Sequence, residues 1–123
     1  MSGKILIVDD APIIRLMLKD ILVANGYQVV GEGNDGNEGV QLYKDLKPDV
    51  VTMDITMPEK DGIEALQEIL EVNENAKVIV ITAIDQRESL MEAIRAGATD
   101  YIIKPFETDR VLSAIRKAFG EES

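Results

Sequence analysis

The chain alternates between two hydrophobic patterns, and this alternation limits its possible folds more than any other feature of the sequence. Five short runs, rich in Val and Ile, are almost continuously apolar, which is typical of parallel strands buried on both faces. They cover residues 5–8, 29–30, 50–53, 78–81 and 101–103. After each run comes a longer stretch in which apolar residues recur with the period of an amphipathic helix.

Five apolar stripes predict five helices between and after these strands. The stripes consist of Ile14, Met17, Leu18, Ile21 and Leu22; of Val40, Leu42, Tyr43 and Leu46; of Ile63, Leu66, Ile69 and Leu70; of Leu90, Ala93, Ile94 and Gly97; and of Val111, Leu112, Ile115 and Phe119. Strands that alternate with helices form a parallel sheet with helices on both faces. Five units are too few for an eight-stranded barrel. The sequence therefore predicts one α/β domain over residues 1–123, built on an open, doubly wound, five-stranded parallel sheet, with a loose tail at 120–123.

Local signals indicate where some helices begin and end. Pro12 suits the first turn of a helix, where its missing N–H is not needed. Asp85 followed by Glu88 is the pattern of a capping box. Gly26 and Gly97 lie where a left-handed residue commonly ends a helix.

Composition excludes several kinds of function. With no Cys and no His, the chain has no disulfide, no thiolate nucleophile and no imidazole metal ligand. The formal net charge of −10 repels nucleic acids and anionic membranes, and the chain has no Trp for base stacking. No apolar run approaches the roughly 18 residues of a membrane span, and no signal peptide opens the chain. We therefore expect a cytoplasmic protein.

Polar residues stand at the carboxyl ends of the predicted strands, where ligands bind in open α/β sheets. They are Asp9 and Asp10, Asp54, Thr82 and Lys104. Each alone could be an ordinary turn or surface residue, but three gathered carboxylates repel one another, so we expect a raised pKa in at least one of them. A hard cation such as Mg²⁺ would relieve that repulsion. Together with an ammonium and a hydroxyl group, the set suits phosphoryl transfer, in which an Asp can itself be the nucleophile.

A glycine-rich motif at residues 31–36 resembles a dinucleotide-binding fingerprint, but its context argues against that function. It follows the second strand, whereas the fingerprint belongs to the first strand–helix turn. Glu32 and Asp35 would also place negative charge against a pyrophosphate. We interpret the motif as a flexible turn.

Four motifs together resemble the response-regulator receiver domain of two-component signalling. They are Ile7-Val8-Asp9-Asp10, Met53-Asp54-Ile55-Thr56-Met57-Pro58 with Asp61-Gly62, Ile81-Thr82-Ala83, and Lys104-Pro105-Phe106. They occur in the family's order and span nearly the whole chain, and we expect no output domain after them. The resemblance implies a flavodoxin-like fold and a stand-alone receiver, most similar to those of chemotaxis.

The resemblance also implies a role for each matching residue. Asp54 would accept the phosphoryl group, and Asp9 and Asp10 would hold Mg²⁺ together with Asp54 and the backbone carbonyl of Thr56. Lys104 would pair with Asp54 and then with the phosphoryl group.

Other matching positions would transmit the signal. Thr82 would move toward the phosphoryl oxygen, Tyr101 would turn inward behind it, and the small Ala83 would leave access to the acceptor. The Lys104–Pro105 peptide bond would be cis. The outer face of the fourth helix, fifth strand and fifth helix would bind partners.

The implied function is a signalling switch that catalyses only its own phosphorylation and dephosphorylation. The expected partners are a chemotaxis-type histidine kinase, a motility motor or adaptor protein, and a possible phosphatase, with the chain itself monomeric. Thr56 and Ile84 stand where more polar residues are familiar in the family, so we expect them to tune dephosphorylation.

Three alternatives remain open at this point. The chain could be a phosphorelay receiver unrelated to motility. It could be a Mg²⁺-dependent phosphatase with an Asp nucleophile, although Thr56 cannot serve as the second acid that such enzymes use. It could carry a flavin, although Asp9 and Asp10 would repel its phosphate.

Overall fold

Five strands and five helices alternate along the chain in a computed structural model that describes residues 3–56 and 62–121. The strands are β1 (Lys4–Val8), β2 (Gln28–Gly33), β3 (Val50–Asp54), β4 (Val78–Ala83) and β5 (Asp100–Lys104). The helices are α1 (Pro12–Ala24), α2 (Gly36–Leu46), α3 (Gly62–Val72), α4 (Arg87–Ala96) and α5 (Thr108–Ala118). Each predicted strand lies inside an observed one, so the predicted α/β fold is confirmed.

The five strands form one parallel sheet in the order β2-β1-β3-β4-β5. From β1 the chain first moves outward to β2 and then returns to pair β3 on the other side of β1. The strand order therefore reverses between β1 and β3, and the carboxyl ends of these two strands form the crevice where such folds bind ligands.

Helices cover both faces of the sheet. On one face, α1 and α5 pack through residues such as Leu18, Leu22 and Ile115, which are fully buried. On the other face, α2, α3 and α4 pack through residues such as Leu66 and Ile69, likewise fully buried. Within the described part of the chain, no helix has the length and apolar character that crossing a membrane requires.

The local signals in the sequence were right at three positions and wrong at one. Pro12 is the first residue of α1, and Gly26 and Gly97 have positive φ angles of 88° and 116°. The capping box predicted at Asp85 is wrong, because α4 is capped by Gln86, whose side chain makes no capping hydrogen bond. One extra residue separates Asp85 from the first turn of the helix.

The glycine-rich motif caps α2. Asp35 is the N-cap residue, and its Oδ1 accepts a hydrogen bond of 2.9 Å from the N–H of Glu38. Glu38 Oε1 in turn accepts a hydrogen bond of 2.6 Å from the N–H of Asn34. Both carboxylates are thus engaged by backbone donors of the chain itself.

The first two residues of the segment predicted to be a loose tail, Gly120 and Glu121, make hydrogen bonds with the rest of the chain. The N–H of Glu121 donates to the carbonyl of Arg116 at 2.8 Å, and Glu121 Oε1 accepts a hydrogen bond of 2.9 Å from the hydroxyl of Tyr27. The Tyr27 ring stacks on Phe119 at a centroid distance of 5.4 Å. These contacts join the segment after α5 to the residue before β2, and the polar composition of the tail did not predict them. Residues 122–123 lie outside the described residues.

We predict that Thr52→Val stabilises the protein by about 1 kcal/mol. Thr52 is fully buried on β3, and no described residue forms a hydrogen bond with its Oγ1. Replacing an unpaired buried hydroxyl with a methyl group of similar shape removes its desolvation penalty. Urea denaturation of both proteins gives the difference in the free energy of unfolding.

Thr99→Val is the matched control for this prediction, because Thr99 Oγ1 accepts a hydrogen bond of 3.1 Å from the N–H of Val78. That variant should be less stable than wild type. If Thr52→Val destabilises the protein as much as Thr99→Val does, Thr52 Oγ1 has a partner and the assignment is wrong.

Candidate functional site

The acidic residues predicted from the strand ends lie together at the crevice between β1 and β3. Asp9 follows β1 directly, and Asp54 is the last residue of β3. These two strands are paired, with Val8 opposite Met53, so the two carboxylates emerge side by side. Carboxylate oxygens of Asp9, Asp10 and Asp54 all lie within 4.8 Å of one another.

The three carboxylates differ in their exposure to water. Asp9 is fully buried and Asp54 is 2% exposed, whereas Asp10 is exposed. Asp9 Oδ1 accepts a hydrogen bond of 2.9 Å from the N–H of Ala11. No described residue donates a well-directed hydrogen bond to Asp9 Oδ2. A buried carboxylate oxygen without such a donor, beside two further carboxylates, fits a site for a hard cation.

Lys104 supplies a positive charge to this cluster. Its Nζ lies 3.2 Å from Asp9 Oδ2 and 3.5 Å from Asp54 Oδ2. The side chain reaches from the end of β5 past β4 to the crevice. The Lys104–Pro105 peptide bond is cis, as predicted.

Thr56 holds the Asp54 carboxylate from the other side. Both its N–H and its hydroxyl donate to Asp54 Oδ1, at 2.9 and 2.8 Å. Sequence reasoning singled out the carbonyl and the side-chain type of Thr56 but missed this hydroxyl contact. A Thr two residues after an Asp can make such a local bond, and this spacing was the available signal.

A glycine lets helix α3 approach the backbone of Asp54. A Cβ atom at Gly62 would overlap the carbonyl oxygen of Asp54 and would lie 2.6 Å from the Cα of Ile55. Only glycine fits there, which explains one residue of the Asp61-Gly62 motif physically. Met57, Pro58 and Asp61 lie outside the described residues.

Thr82 and Tyr101 line one cavity near the acidic cluster. Thr82 is 1% exposed, and its hydroxyl donates only to the carbonyl of Ala83, at 3.3 Å. The cavity has a volume of about 220 Å³ and is also bordered by Ile84 and Ile103. Tyr101 is 37% exposed, with the Arg110 guanidinium 5.4 Å above its ring, and Ile84 is 78% exposed. Tyr101 therefore lies in an outward position beside a space large enough to receive part of its side chain.

Sequence reasoning missed Arg15. From the first turns of α1 its Nη1 donates a hydrogen bond of 2.6 Å to the carbonyl oxygen of Asp9. Its Nε donates to Glu32 Oε1 at 3.3 Å. The available signal was a cation placed among Ile13, Ile14 and Leu16 in an otherwise apolar segment close to the first strand end.

Burial raises the pKa of the Asp9 carboxyl group above its ordinary value, and the charge of Asp54 raises it further. The hydrogen bond from the Ala11 N–H and the ammonium of Lys104 oppose this shift without cancelling it. The prediction that at least one of the three clustered carboxyl groups has a raised pKa is confirmed for Asp9, but burial rather than repulsion between the carboxylates is the largest cause.

We predict that Asp9→Asn stabilises the protein at neutral pH in metal-free buffer. A carboxyl group whose pKa is raised by folding destabilises the folded state as pH rises past its unfolded pKa of about 3.9, and the loss is complete above the folded pKa. Each unit of elevation corresponds to about 1.4 kcal/mol. The stability difference between variant and wild type should therefore be small in strong acid and grow toward neutral pH, as measured by urea denaturation at several pH values in EDTA.

Asp85→Asn controls for the change in net charge, because Asp85 is exposed and outside the cluster. A difference between Asp9→Asn and wild type that is independent of pH, or a loss of stability at neutral pH, would contradict the raised pKa.

Comparisons with known proteins agree on one family. A family model described as the response regulator receiver domain matches residues 5–116. The chain is 54% identical to the chemotaxis protein CheY of Thermotoga maritima over 117 residues, which cover 95% of this chain and 98% of the relative. It is also 54% identical to the chemotaxis protein CheY of Bacillus subtilis, over 98% of this chain and 100% of that protein.

A solved structure shows the same fold. In the complex of CheX with CheY, BeF3 and Mg²⁺ from Borrelia burgdorferi, the similar chain has a TM-score of 0.90 and 35% identity. The match covers 95% of this chain and 89% of that one. Sequence and structure comparisons thus agree with the fold and the strand-end motifs, and the chain belongs to the response regulator receiver domain family.

Proposed function

We propose that the protein is a phosphorylation switch of two-component signalling that accepts a phosphoryl group on Asp54 from a histidine kinase. The observation that carries this proposal is the meeting of Asp9, Asp10, Asp54 and Lys104 at one crevice. Gathering three carboxylates opposes folding, so a binding function gives the reason for their arrangement. The chemotaxis relatives of nearly equal length support a signalling role rather than metabolic catalysis.

Asp54 is the acceptor in this proposal because the chain holds its carboxylate in a fixed orientation. Two donors of Thr56 bind Oδ1, and Lys104 faces Oδ2. A carboxylate oxygen of Asp54 attacks the phosphorus atom of a phosphohistidine, the P–N bond breaks, and the imidazole leaves with the bonding electrons and takes up a proton. Lys104 then balances the negative charge that the transferred group brings into the crevice.

Magnesium is the proposed cofactor. Asp9, Asp10 and Asp54 would hold Mg²⁺ through carboxylate oxygens, and Thr56 would add its backbone carbonyl. A bound Mg²⁺ neutralises charge on the phosphoryl oxygens during transfer. The oxygen-only donor set fits this ion, and a similar CheY of Borrelia burgdorferi was solved together with BeF3 and Mg²⁺.

The switch consists of Thr82 and Tyr101. A phosphoryl group on Asp54 provides an acceptor for the Thr82 hydroxyl, whose present bond to Ala83 is long at 3.3 Å. When Thr82 moves toward the acceptor site, Tyr101 can enter the cavity that both residues line. Ala83 is too small to block access to the acceptor. The phosphoryl group shifts a two-state equilibrium by the extra contacts it makes in one state.

The outer face of α4, β5 and α5 is the proposed partner surface, because Tyr101 lies on it and changes it when turning inward. The proposed partners are a chemotaxis-type histidine kinase and, downstream, a motility motor component or adaptor protein. A phosphatase is a further proposed partner. The complex of CheX with a similar CheY from Borrelia burgdorferi supports the proposal of a protein partner. The chain itself is proposed to act as a monomer.

Acetyl phosphate labelling tests the proposed function. Wild-type protein with acetyl phosphate and Mg²⁺ should gain one phosphoryl group in the intact mass, and EDTA should prevent the gain. Asp54→Asn should abolish it, because an amide cannot form the acyl phosphate. Asp85→Asn, an exposed carboxylate outside the cluster, should label like wild type. Equal labelling of wild type and Asp54→Asn would assign the acceptor elsewhere.

We predict that the double variant Thr56→Asn with Ile84→Glu loses its phosphoryl group about tenfold faster than wild type, which corresponds to about 1.4 kcal/mol of barrier. Hydrolysis needs a water in line with the P–O bond. The Thr56 hydroxyl is engaged by Asp54 and Ile84 has no polar side-chain atom, so neither residue orients that water.

The measurement is the decay of label from purified phosphoprotein in Mg²⁺ buffer, with Ile84→Val as the control that keeps an apolar side chain. Decay in the double variant that is equal to or slower than wild type would refute the water-positioning role of these two residues.

A further inference from the structure

The guanidinium group of Arg15 contacts the backbone of the loop that carries Asp9 and Asp10. Arg15 Nη1 donates to the carbonyl oxygen of Asp9 at 2.6 Å, and the Arg15 side chain is only 15% exposed. Its Nε faces Glu32 Oε1 at 3.3 Å, and Lys19 Nζ lies 3.6 Å from Glu32 Oε2. Arg15 thus links the metal-site loop to α1 and to the end of β2.

Arg15 pairs with a carboxylate outside the acidic cluster. A guanidinium can pair with a carboxylate through two parallel hydrogen bonds. In the described part of the chain, the ion pairs of Arg15 involve Glu32 alone, and its hydrogen bond toward the cluster goes to a backbone carbonyl. Arg15 therefore does not occupy the carboxylate oxygens of Asp9 and Asp10.

Three hydrogen bonds fix the backbone at this loop. The N–H of Asp9 donates to the carbonyl of Gly33 at 3.0 Å, and the N–H of Ala11 donates to Asp9 Oδ1 at 2.9 Å. The third hydrogen bond joins Arg15 to the carbonyl of Asp9. Each of these bonds limits where the Asp9 and Asp10 carboxylates can point.

The glycine-rich motif places the residue that orients Arg15. Glu32 lies opposite Ile7 in the sheet, near the carboxyl end of β2, between Gly31 and Gly33. A Cβ atom at Gly31 would lie 2.6 Å from the side chain of Leu46, so this side of β2 faces α2. The side chain of Glu32 lies on the opposite side, where it pairs with Arg15 and Lys19 of α1. The motif therefore does more than connect β2 to α2.

We propose that Arg15 is a positioning residue for Mg²⁺ binding, oriented by Glu32, an inference that rests on the proposed function. Its planar fork binds the carbonyl of Asp9 and the carboxylate of Glu32 at once, which a lysine ammonium cannot reproduce with the same geometry. Residues that orient metal ligands contribute about tenfold or more to metal affinity.

Two effects of Arg15 on Mg²⁺ affinity have opposite signs, and this makes the proposal testable. As a positive charge near the site, Arg15 repels Mg²⁺, so its neutralisation would tighten binding. Because Arg15 also holds the loop that carries Asp9 and Asp10, it favours Mg²⁺ binding, and its replacement would weaken binding. The sign of the change in the Mg²⁺ dissociation constant separates the two roles.

The experiment measures the Mg²⁺ dissociation constant by isothermal titration calorimetry for wild type, Arg15→Met, Arg15→Lys and Glu32→Gln. Lys19→Met is the matched control, because Lys19 shares Glu32 with Arg15 but makes no described contact with the Asp9 loop. We expect about tenfold weaker binding in both Arg15 variants, about threefold weaker binding in Glu32→Gln, and a change within twofold in Lys19→Met. Hydrogen exchange at the amides of Asp9 and Ala11 should accelerate in the Arg15 variants.

Equal or tighter Mg²⁺ binding in the Arg15 variants, with wild type binding normally, would overturn this inference and leave the proposed function intact. Failure of wild type to bind Mg²⁺ would overturn the proposed function as well. Thermal unfolding in EDTA shows whether each variant is folded, and if Arg15→Met is not, the conservative Arg15→Lys decides the outcome alone. A lower Tm with an unchanged dissociation constant would show a purely structural role and also overturn the inference.

Discussion

The burial of Asp9 and Asp54 side by side, next to the carboxylate of Asp10, is the constraint on which the rest of the site depends. Two of these carboxylates are buried, and burial raises the pKa of Asp9 in spite of the nearby Lys104. The surrounding groups each reduce part of this penalty: Lys104 bridges two carboxylates, and Thr56 donates twice to a third oxygen. The folded protein therefore tolerates the cluster, but part of its negative charge is not balanced. That remaining negative charge can attract a divalent cation.

The sheet topology makes this cluster possible. β1 and β3 are neighbours in space although α1, β2 and α2 separate them in sequence. Their carboxyl ends present Asp9 and Asp54 at one edge, and the next two strands add Thr82 and Lys104 in spatial order. The largely buried strands β1, β3 and β4 fix the starting points of Asp9, Asp54 and Thr82. Local hydrogen bonds from Ala11 and Thr56 orient the carboxylates of Asp9 and Asp54.

Patterns that repeat along the sequence could be predicted, and contacts between distant side chains could not. The apolar runs predicted the positions of all five strands. The rule that ligands bind at the carboxyl ends of strands correctly predicted that Asp9, Asp54 and Lys104 lie close together. The contact of Arg15 with the Asp9 carbonyl depends on the rotamer of a long side chain, which composition does not determine. The cap at Gln86 and the bond between Tyr27 and Glu121 likewise depend on backbone geometry and on packing between remote segments.

A crystal structure of the protein with Mg²⁺ and beryllofluoride tests the central claim most directly, because beryllofluoride imitates a phosphoryl group on a carboxylate. We expect beryllium bonded to Asp54 and Mg²⁺ bound by Asp9, Asp10, Asp54 and the carbonyl of Thr56. We also expect Lys104 and Thr82 in contact with fluorine atoms and Tyr101 turned into the cavity that it now borders. Beryllofluoride on another residue, or a metal bound away from the three carboxylates, would contradict the account.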